Sequence, residues 1–243
     1  LAEETGSKVL LFEGKLFFGH LEVMLNIRGQ NNVSDLVQHA NHLDDSLIRD
    51  VISQHASGIH VLLAPSNMQI AQGIRADDLY TVFIALSRMY DYIVIDNGSM
   101  LSEASVTMMD AADRIMLLTN PDLAALHDTS RFIQLSRSLG YAPDKILTVL
   151  NRAGVNGGVR QSDIEAVLHY QLYAQIADDP EASLRSLNRG IPMLVRYPRS
   201  PASRSIREIA KNLLDLTLSD TAREGGLSER PSREALLASS QLG

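Results

Sequence analysis

The stretch Tyr90-Asp-Tyr-Ile-Val-Ile-Asp96-Asn-Gly-Ser99 decides the fold that the sequence predicts. Its short apolar run ends in an aspartate where a turn begins, which is typical of a strand in a parallel sheet covered on both faces. Ligands of open α/β sheets bind at the carboxyl ends of such strands. Asp96 is therefore a candidate magnesium ligand, as in nucleoside-triphosphate enzymes. On the strand alone, an aspartate that caps a helix or starts a turn is an equally good interpretation.

Strands and helices alternate on both sides of this stretch. Strands are predicted at residues 8–12, 59–64, 92–96, 114–119, 146–150 and 172–176. Helices are predicted at residues 33–39, 44–55, 77–89, 102–111, 121–139, 180–188 and 203–218, with a further short helix after residue 162. Ser34, Asp44, Asn120 and a capping box at Ser162 are the predicted helix starts. The alternation predicts a three-layer, doubly wound α/β fold with a mostly parallel sheet and helices on both faces.

Composition limits the classes of protein that fit. The chain has 243 residues, 45% hydrophobic and 21% charged, as in soluble globular proteins. One domain is predicted over residues 1–218, followed by a polar, disordered tail at 219–243. The absence of cysteine excludes disulfide and thiolate chemistry. No apolar run long enough to span a membrane and no signal peptide occurs, which predicts a cytoplasmic chain. The net charge of −7 argues against duplex-DNA binding by bulk electrostatics.

Common catalytic motifs are missing, so the candidate site residues come from strand ends. The sequence contains neither G-x-x-x-x-G-K-[ST] nor G-x-S-x-G, and its seven histidines are scattered. Asn151-Arg152 follows the strand Ile-Leu-Thr-Val-Leu, and a loop with Glu13 follows the first strand. Together with Asp96, these polar strand ends converge on one edge of the predicted sheet, which favours a ligand site there.

Two segments resemble the switch I region of MinD/ParA-type deviant-Walker ATPases: Val9-Leu-Leu-Phe-Glu13 and Phe18-Gly19-His-Leu-Glu-Val23-Met-Leu. The resemblance is greatest to the pilus-assembly branch, the CpaE/TadZ proteins, which often have VLLID-x-DLQFGDLEVLL there. It covers roughly residues 8–214 in consistent order and spacing, which is more specific than any single motif. It continues through Val33-Ser-Asp-Leu36, His55-Ala-Ser-Gly58-Ile-His-Val-Leu-Leu-Ala-Pro65, Tyr90-Asp-Tyr-Ile-Val-Ile-Asp96, Ala112-Asp113, Thr119-Asn-Pro-Asp122, Val149-Leu-Asn-Arg152 and Arg199-Ser-Pro201.

The resemblance implies a site that binds ATP or ADP with Mg²⁺. It makes Asp96 the Walker B acid near the metal, Asn151 the asparagine that reads adenine, and Asp179-Pro180 part of the segment that closes over the base. Loop 13–15 and Gly19 correspond to switch I. The implied site residues are Asp96, Glu13 and Lys15 as catalytic, Asp96, Asn151, Arg152, Asp179, Pro180 and Gly19 as nucleotide-binding, and Asp96 as the metal ligand.

Departures from the family pattern predict weak or absent hydrolysis. The family's phosphate loop, K-G-G-x-G-K-T, is expected upstream of residue 1, because residues 1–9 resemble the end of the helix that follows it. The two switch I aspartates are replaced by Glu13 and Lys15. A lysine cannot accept a hydrogen bond from the attacking water, although it can pair with phosphate as a point charge. Asn97-Gly98-Ser99 replaces the usual Leu-Pro-Pro turn after Asp96.

Three functions remain open from the sequence. The first is an ATP-binding protein that assembles or localises a pilus or secretion apparatus by nucleotide-dependent homodimerisation. The expected partners are that machinery or polar-localisation proteins, with no specific nucleic acid and at most peripheral membrane association. The second is a catalytically inactive pseudo-ATPase scaffold. The third, chromosome or plasmid partitioning on DNA, is disfavoured by the acidic balance. The expected location is the cytoplasm, at the cell pole or at the inner-membrane periphery.

Overall fold

The computed structural model describes residues 1–224 and confirms the predicted α/β class. The strands are β1 Val9–Phe12, β2 Ser53–Gln54, β3 His60–Leu62, β4 Tyr92–Ile95, β5 Ile115–Thr119, β6 Ile146–Ala153 and β7 Ala174–Ala177. The helices are α1 Ala2–Thr5, α2 Leu21–Met24, α3 Val33–Val37, α4 Asp45–Val51, α5 Met68–Gln72, α6 Ala76–Ser87, α7 Glu103–Ala111, α8 Leu123–Ser138, α9 Gln161–Leu168, α10 Pro180–Leu187, α11 Met193–Arg196 and α12 Pro201–Glu224. The predicted tail lies outside the described residues from residue 225 onward.

The strands pair in two sheets. The first has the order β2-β3-β1-β4, and the second has the order β5-β6-β7. All neighbouring strands are parallel except β2, which is antiparallel to β3 at the outer edge. β4 and β5 each end their sheet, so one long edge of each strand has no paired neighbour among the described residues.

The main core lies on the first sheet. Phe12 of β1 is fully buried and meets the Phe83 ring of α6 edge-on, with 5.3 Å between ring centroids. Leu36 of α3 and Leu79 of α6 belong to the same buried cluster. A separate cluster on the second sheet joins Leu150 of β6 to helices α8 and α9. Each sheet is therefore held by its own buried apolar side chains.

Several predicted helix starts are wrong, because other side chains reach the free backbone N–H groups. Asn32 caps α3 in place of Ser34, and Asp122 caps α8 in place of Asn120. The capping box predicted at Ser162 does not form, since α9 begins at Gln161, with Arg160 at the N-cap position and no side-chain cap. Asp44 caps α4 as predicted, accepting from the Leu47 N–H at 2.8 Å.

The predicted helix at 44–55 ends early, at Val51. Residues Ser53 and Gln54 instead pair with Val61 and His60 as the antiparallel strand β2. Pairing with an existing sheet edge therefore overrides the helical periodicity of this segment. At the other end of the chain, α12 continues beyond the predicted end at residue 218, through Glu224.

The chain divides into two compact units, Leu1–Ile206 and Arg207–Gly243. The first unit contains both sheets and helices α1 to α11. Within the described residues, the second unit consists of the part of α12 that begins at Arg207. The predicted domain boundary at residue 218 stays a prediction.

Candidate functional site

Asp96 lies directly after β4, and it is exposed. Its backbone is fixed on both sides, because its N–H donates to the Phe12 carbonyl at 2.9 Å and its carbonyl accepts from the Lys15 N–H at 2.8 Å. These bonds join the end of β4 to the loop that follows β1. The carboxylate is therefore anchored through its backbone and available to a ligand.

Glu13 occupies a different environment from Asp96 although it ends the neighbouring strand. It is only 3% exposed. One carboxylate oxygen accepts from the Leu21 N–H at 2.6 Å, and the other accepts from the Ala64 N–H at 3.0 Å. Glu13 thereby ties the loop after β1 and the start of α2 to the end of β3. The structure gives it an anchoring role, whereas its catalytic role stays a prediction.

The position of the Glu13 carboxylate explains why residue 19 is a glycine. A Cβ built on Gly19 would lie 2.3–2.5 Å from the Glu13 carboxyl atoms, closer than any real contact. Glycine is therefore required for the loop to pass over the buried acid. A direct contact of Gly19 with nucleotide stays a prediction.

Lys15 lies beside the turn that follows Asp96. A Cβ built on Gly98 would lie 3.3–3.6 Å from three carbons of the Lys15 side chain, so the aliphatic stem runs along this turn. The preceding residue must be glycine, because a Cβ on Gly14 would lie 2.7 Å from Ile95 Cγ2. The structure thus brings Lys15 and Asp96 together at one sheet edge, as the sequence predicts.

Asn151 and Arg152 lie in an irregular part of β6. The pairing register with β7 shifts between Leu150 and Ala153, and Arg152 has a φ of 54°. A bulky residue in this left-handed region is strained, and such strain is common at ligand sites. The bulge re-aims the two side chains at the end of the strand.

Each of these two side chains has a partner that the sequence analysis missed. Asn151 Nδ2 donates to Asn120 Oδ1 at 3.2 Å, and Arg152 Nε donates to Asp178 Oδ1 at 2.9 Å. Asn120 directly follows β5, and Asn151 lies near the end of β6. The expectation that site residues lie at strand ends could therefore have identified Asn120 from the sequence. Asp178 directly follows β7, but the predicted strand ends at residue 176, so the sequence does not place Asp178 at a strand end.

Asp179 and Pro180 form the beginning of α10. Asp179 Oδ1 accepts from the Ala182 N–H at 3.3 Å as the helix cap, and Pro180 is the first helical residue. The second oxygen, Oδ2, is buried and has no hydrogen-bond donor among the described residues. A buried acceptor without a hydrogen bond lowers the stability of the fold. A ligand that donates a hydrogen bond to Oδ2 would remove this loss.

The predicted site residues thus form two groups. Glu13, Lys15, Gly19 and Asp96 lie at the carboxyl edge of the first sheet, and Asn151, Arg152, Asp179 and Pro180 lie at that of the second. Next to the second group, the loop after β6 lines a cleft of about 330 Å³ with Pro121 and Leu150. The glycine-rich stretch 154–158 forms one wall of this cleft.

The donor set fits Mg²⁺ only together with a nucleotide. Mg²⁺ keeps several waters and binds one or two carboxylates plus substrate phosphates. Asp96 meets this need with one exposed carboxylate. Over residues 1–224, no three His, Asp or Glu side chains gather as a metal cage. The described residues therefore suit a hydrated Mg²⁺–phosphate complex better than a metal held by protein alone.

Comparisons with known proteins show what the chain is similar to. No protein-family model matches the chain. An uncharacterized ATP-binding protein of Methanocaldococcus jannaschii is 24% identical over 213 residues, covering 86% of this chain and 77% of that protein. The crystal structure of a ParA family ATPase from Chlorobium tepidum superposes with a TM-score of 0.81 at 23% identity, covering 86% of this chain and 88% of that one. The septum site-determining protein MinD of Pyrococcus horikoshii, complexed with Mg-ADP, gives a TM-score of 0.75 at 24% identity, covering 88% and 86%.

The chain therefore has the three-layer fold of MinD/ParA-type ATPases. Its sequence is also similar to an uncharacterized ATP-binding protein and to a septum site-determining protein MinD, which confirms the predicted resemblance at the level of the MinD/ParA superfamily. The pilus-assembly branch stays a prediction. No helix within residues 1–224 is long and apolar enough to cross a membrane, and the expected location stays a prediction as well.

Proposed function

We propose that this chain is an ATP-binding MinD/ParA-like protein that assembles or localises a pilus or secretion apparatus. It acts by nucleotide-dependent dimerisation with weak or no hydrolysis. The main support is the position of Asp96 and Asn151 at the carboxyl ends of β4 and β6, each able to meet a ligand. The MinD neighbour was solved with Mg-ADP, which supports the same cofactors here.

The orientation of Asn151 supports an adenine base. Its Nδ2 already donates to Asn120, which leaves Oδ1 as an acceptor and one N–H as a donor. Adenine presents the matching pair, an amine donor at N6 and an acceptor at N7. Guanine presents an acceptor at both positions, so this arrangement favours ATP over GTP.

The unpaired edges of β4 and β5 support a position for a phosphate loop between them. Val94 on β4 and Leu118 on β5 are 42% and 56% exposed, although both are aliphatic residues of parallel strands. Such strands are normally covered on both faces and paired on both edges. In our proposal, the phosphate loop is carried by a strand that pairs with β4 and β5.

We propose weak ATP hydrolysis because neither Glu13 nor Lys15 is placed to orient the attacking water. Glu13 is 3% exposed and each of its oxygens accepts a backbone N–H group, so this carboxylate is held inside the loop and away from an attacking water. Lys15 carries only donors and cannot replace the missing acceptor. Its ammonium group is instead suited to a phosphate oxygen.

Dimerisation is proposed at the carboxyl edge of the sheets. Phe18 and Met100 in the loops after β1 and β4, and Leu123 at the start of α8, are 67%, 63% and 77% exposed. Exposed apolar residues concentrated on the loops of a ligand site are typical of an interaction surface. Bound nucleotide would order these loops and so promote contact with a second copy.

Titration calorimetry with Mg-ATP, on the protein as its gene encodes it, tests the proposal. We expect saturable binding that Asn151→Ala weakens by about tenfold, since a hydrogen bond to the base contributes roughly 1–1.5 kcal/mol. Asn41→Ala removes an exposed amide from a 3₁₀ turn and is the matched control. Phosphate release should be slow or absent.

The outcomes separate this function from its main alternative, a pseudo-ATPase scaffold. The locked Glu13 carboxylate favours that alternative as well, because it suits a loop that no longer takes part in chemistry. Absence of ATP binding to the encoded protein would favour the scaffold. Rapid phosphate release would contradict the role given to Lys15.

A further inference from the structure

A second cleft lies at the outer edge of the first sheet, beside strand β2. It has a volume of about 510 Å³ and is formed by the loop after α2, by β2 with its following turn, and by Gly190. Since β2 and β4 are the two ends of this sheet, three strand spacings, roughly 14 Å, separate the cleft from the strand before Asp96. The cleft is therefore separate from the candidate nucleotide site, and its volume is typical of a ligand site.

A close approach of two loops forms one wall of this cleft. Gly190 has a φ of 59°, and a Cβ built on it would lie 3.0 Å from Asn26 Cβ and from the Val23 carbonyl oxygen. Asn26 itself has a φ of 50°, in the left-handed region that asparagine tolerates better than most residues. Glycine thus lets the two loops meet without strain, and the cleft is a formed feature of the fold.

Strand β2 presents backbone hydrogen-bonding groups at the same edge. The His55 N–H donates to the Ile59 carbonyl at 2.9 Å, which makes these two residues a hydrogen-bonded pair. Such pairs alternate with non-hydrogen-bonded pairs, so Gln54, opposite His60, directs its N–H and carbonyl away from β3. Neither group bonds another backbone group among residues 1–224. An extended peptide can therefore add to β2 at Gln54.

Two side-chain donors line the cleft next to this open edge. His55 Nδ1 accepts from the Ser57 backbone N–H at 3.1 Å, so the proton of the neutral ring lies on Nε2. Nε2 forms no hydrogen bond within the described part of the chain. Arg28 is exposed, and its guanidinium forms no ion pair or hydrogen bond with the same residues. A free guanidinium beside a free N–H donor matches a carboxylate.

Apolar side chains complete the lining of the cleft. Leu25 is 8% exposed and belongs to a small buried cluster under the sheet, against which Ile27 packs. Both residues line the cleft together with Ala56. Because packing within the fold already holds Leu25 and Ile27, they offer an aliphatic side chain a preformed contact surface.

We propose that this cleft binds the C-terminal end of an extended peptide from a partner protein. The peptide backbone pairs with Gln54, and its terminal carboxylate is bound by Arg28 and His55. An aliphatic side chain of the peptide packs on Leu25 and Ile27. A small inorganic anion would use the two side-chain donors only, and it would leave the outward backbone groups and the apolar wall without a role.

Titration calorimetry with two short peptides tests the proposal on the protein as its gene encodes it. Acetyl-Ala-Leu-Ala is used as the free acid and as the C-terminal amide, which differ only in the carboxylate. We expect the acid to bind with a Kd on the order of 10⁻⁵–10⁻⁴ M. The amide should bind at least roughly tenfold more weakly, since it lacks the charge that Arg28 recognises. Inorganic phosphate at the same concentrations should not bind.

Variants at three positions separate the contributions to binding of the acid peptide. Arg28→Gln should weaken binding roughly tenfold, because it removes a charge-assisted hydrogen bond. His55→Asn keeps an acceptor for the Ser57 N–H but removes the Nε2 donor, and it should weaken binding about fivefold. Gln54→Pro removes the outward N–H at a position where an edge strand tolerates proline, and it should weaken binding at least about tenfold.

Matched controls keep the proposed contacts. Gln54→Ala retains the backbone donor, and Arg88→Gln removes an exposed arginine after α6, so both should bind the acid peptide as the parent does. Urea unfolding of each variant identifies any that has lost the fold.

Four results would overturn the proposal. They are no binding of the acid peptide at about 1 mM, equal affinity for acid and amide, phosphate binding as tight as that of the acid, and equal binding by folded Gln54→Pro and the parent. None of these measurements requires nucleotide, so their failure leaves the proposed ATP site untouched.

Discussion

Strands β1 and β6 differ from β4 and β5 in burial although all four are apolar. Leu10, Phe12 and Val149 of the first pair are almost completely buried. Val94 and Leu118 of the second pair are 42% and 56% exposed. β1 and β6 have paired neighbours on both sides, whereas β4 and β5 each end a sheet. Exposure therefore follows pairing rather than residue type.

This difference identifies the part of the two sheets that is least covered within the described residues. A parallel strand with an unpaired, aliphatic edge invites pairing with another chain, and proteins normally cover such edges. The carboxyl ends of β4 and β5 also carry the candidate site residues Asp96 and Asn120. The unpaired edges and these candidate site residues thus coincide, and in our proposal the phosphate loop lies at the same place.

The largest expected effect is the difference in stability lost when a buried side chain of β1 and an exposed side chain of β4 are truncated. Phe12→Ala should lower the free energy of unfolding of residues 1–243 by about 3–5 kcal/mol, because Phe12 is fully buried against Phe83. Val94→Ala should cost less than about 1 kcal/mol, since Val94 is already partly in water. Urea unfolding measures both. A cost at Val94 close to that at Phe12 would show that another segment or copy covers β4 in solution.

A second contrast concerns the acids at two neighbouring strand ends. Glu13→Ala should destabilise the chain by about 2–4 kcal/mol, because it leaves two backbone N–H groups without an acceptor. Asp96→Asn should change stability by less than about 0.5 kcal/mol, because Asp96 is exposed. Thermal and urea unfolding provide the measurement. Similar losses in both variants would contradict the anchoring role of Glu13.

The sequence was sufficient for the order of most strands and helices, because their apolar runs and periodicities are long. Strand β2 escaped prediction, since two residues carry no pattern and form a strand only by pairing with β3. Asp96 was found from its position after an apolar run. The anchoring of Glu13 was not, because it depends on N–H groups at Leu21 and Ala64, which are distant in sequence.

The smallest expected effect contrasts two buried threonines on β6 and β5. Thr148 is completely buried, and its hydroxyl has no hydrogen-bond partner among the described residues. Thr148→Val should therefore stabilise the chain by about 1 kcal/mol, because it removes an unmet polar group and keeps the shape. Thr119 is the matched control, since its hydroxyl bonds that of Thr129 at 2.8 Å and Thr119→Val should cost about 1 kcal/mol. Urea unfolding should give changes of opposite sign in the free energy of unfolding for the two variants. Destabilisation by Thr148→Val would contradict the expectation, because it would show that a hydrogen-bond partner or a water molecule reaches the Thr148 hydroxyl.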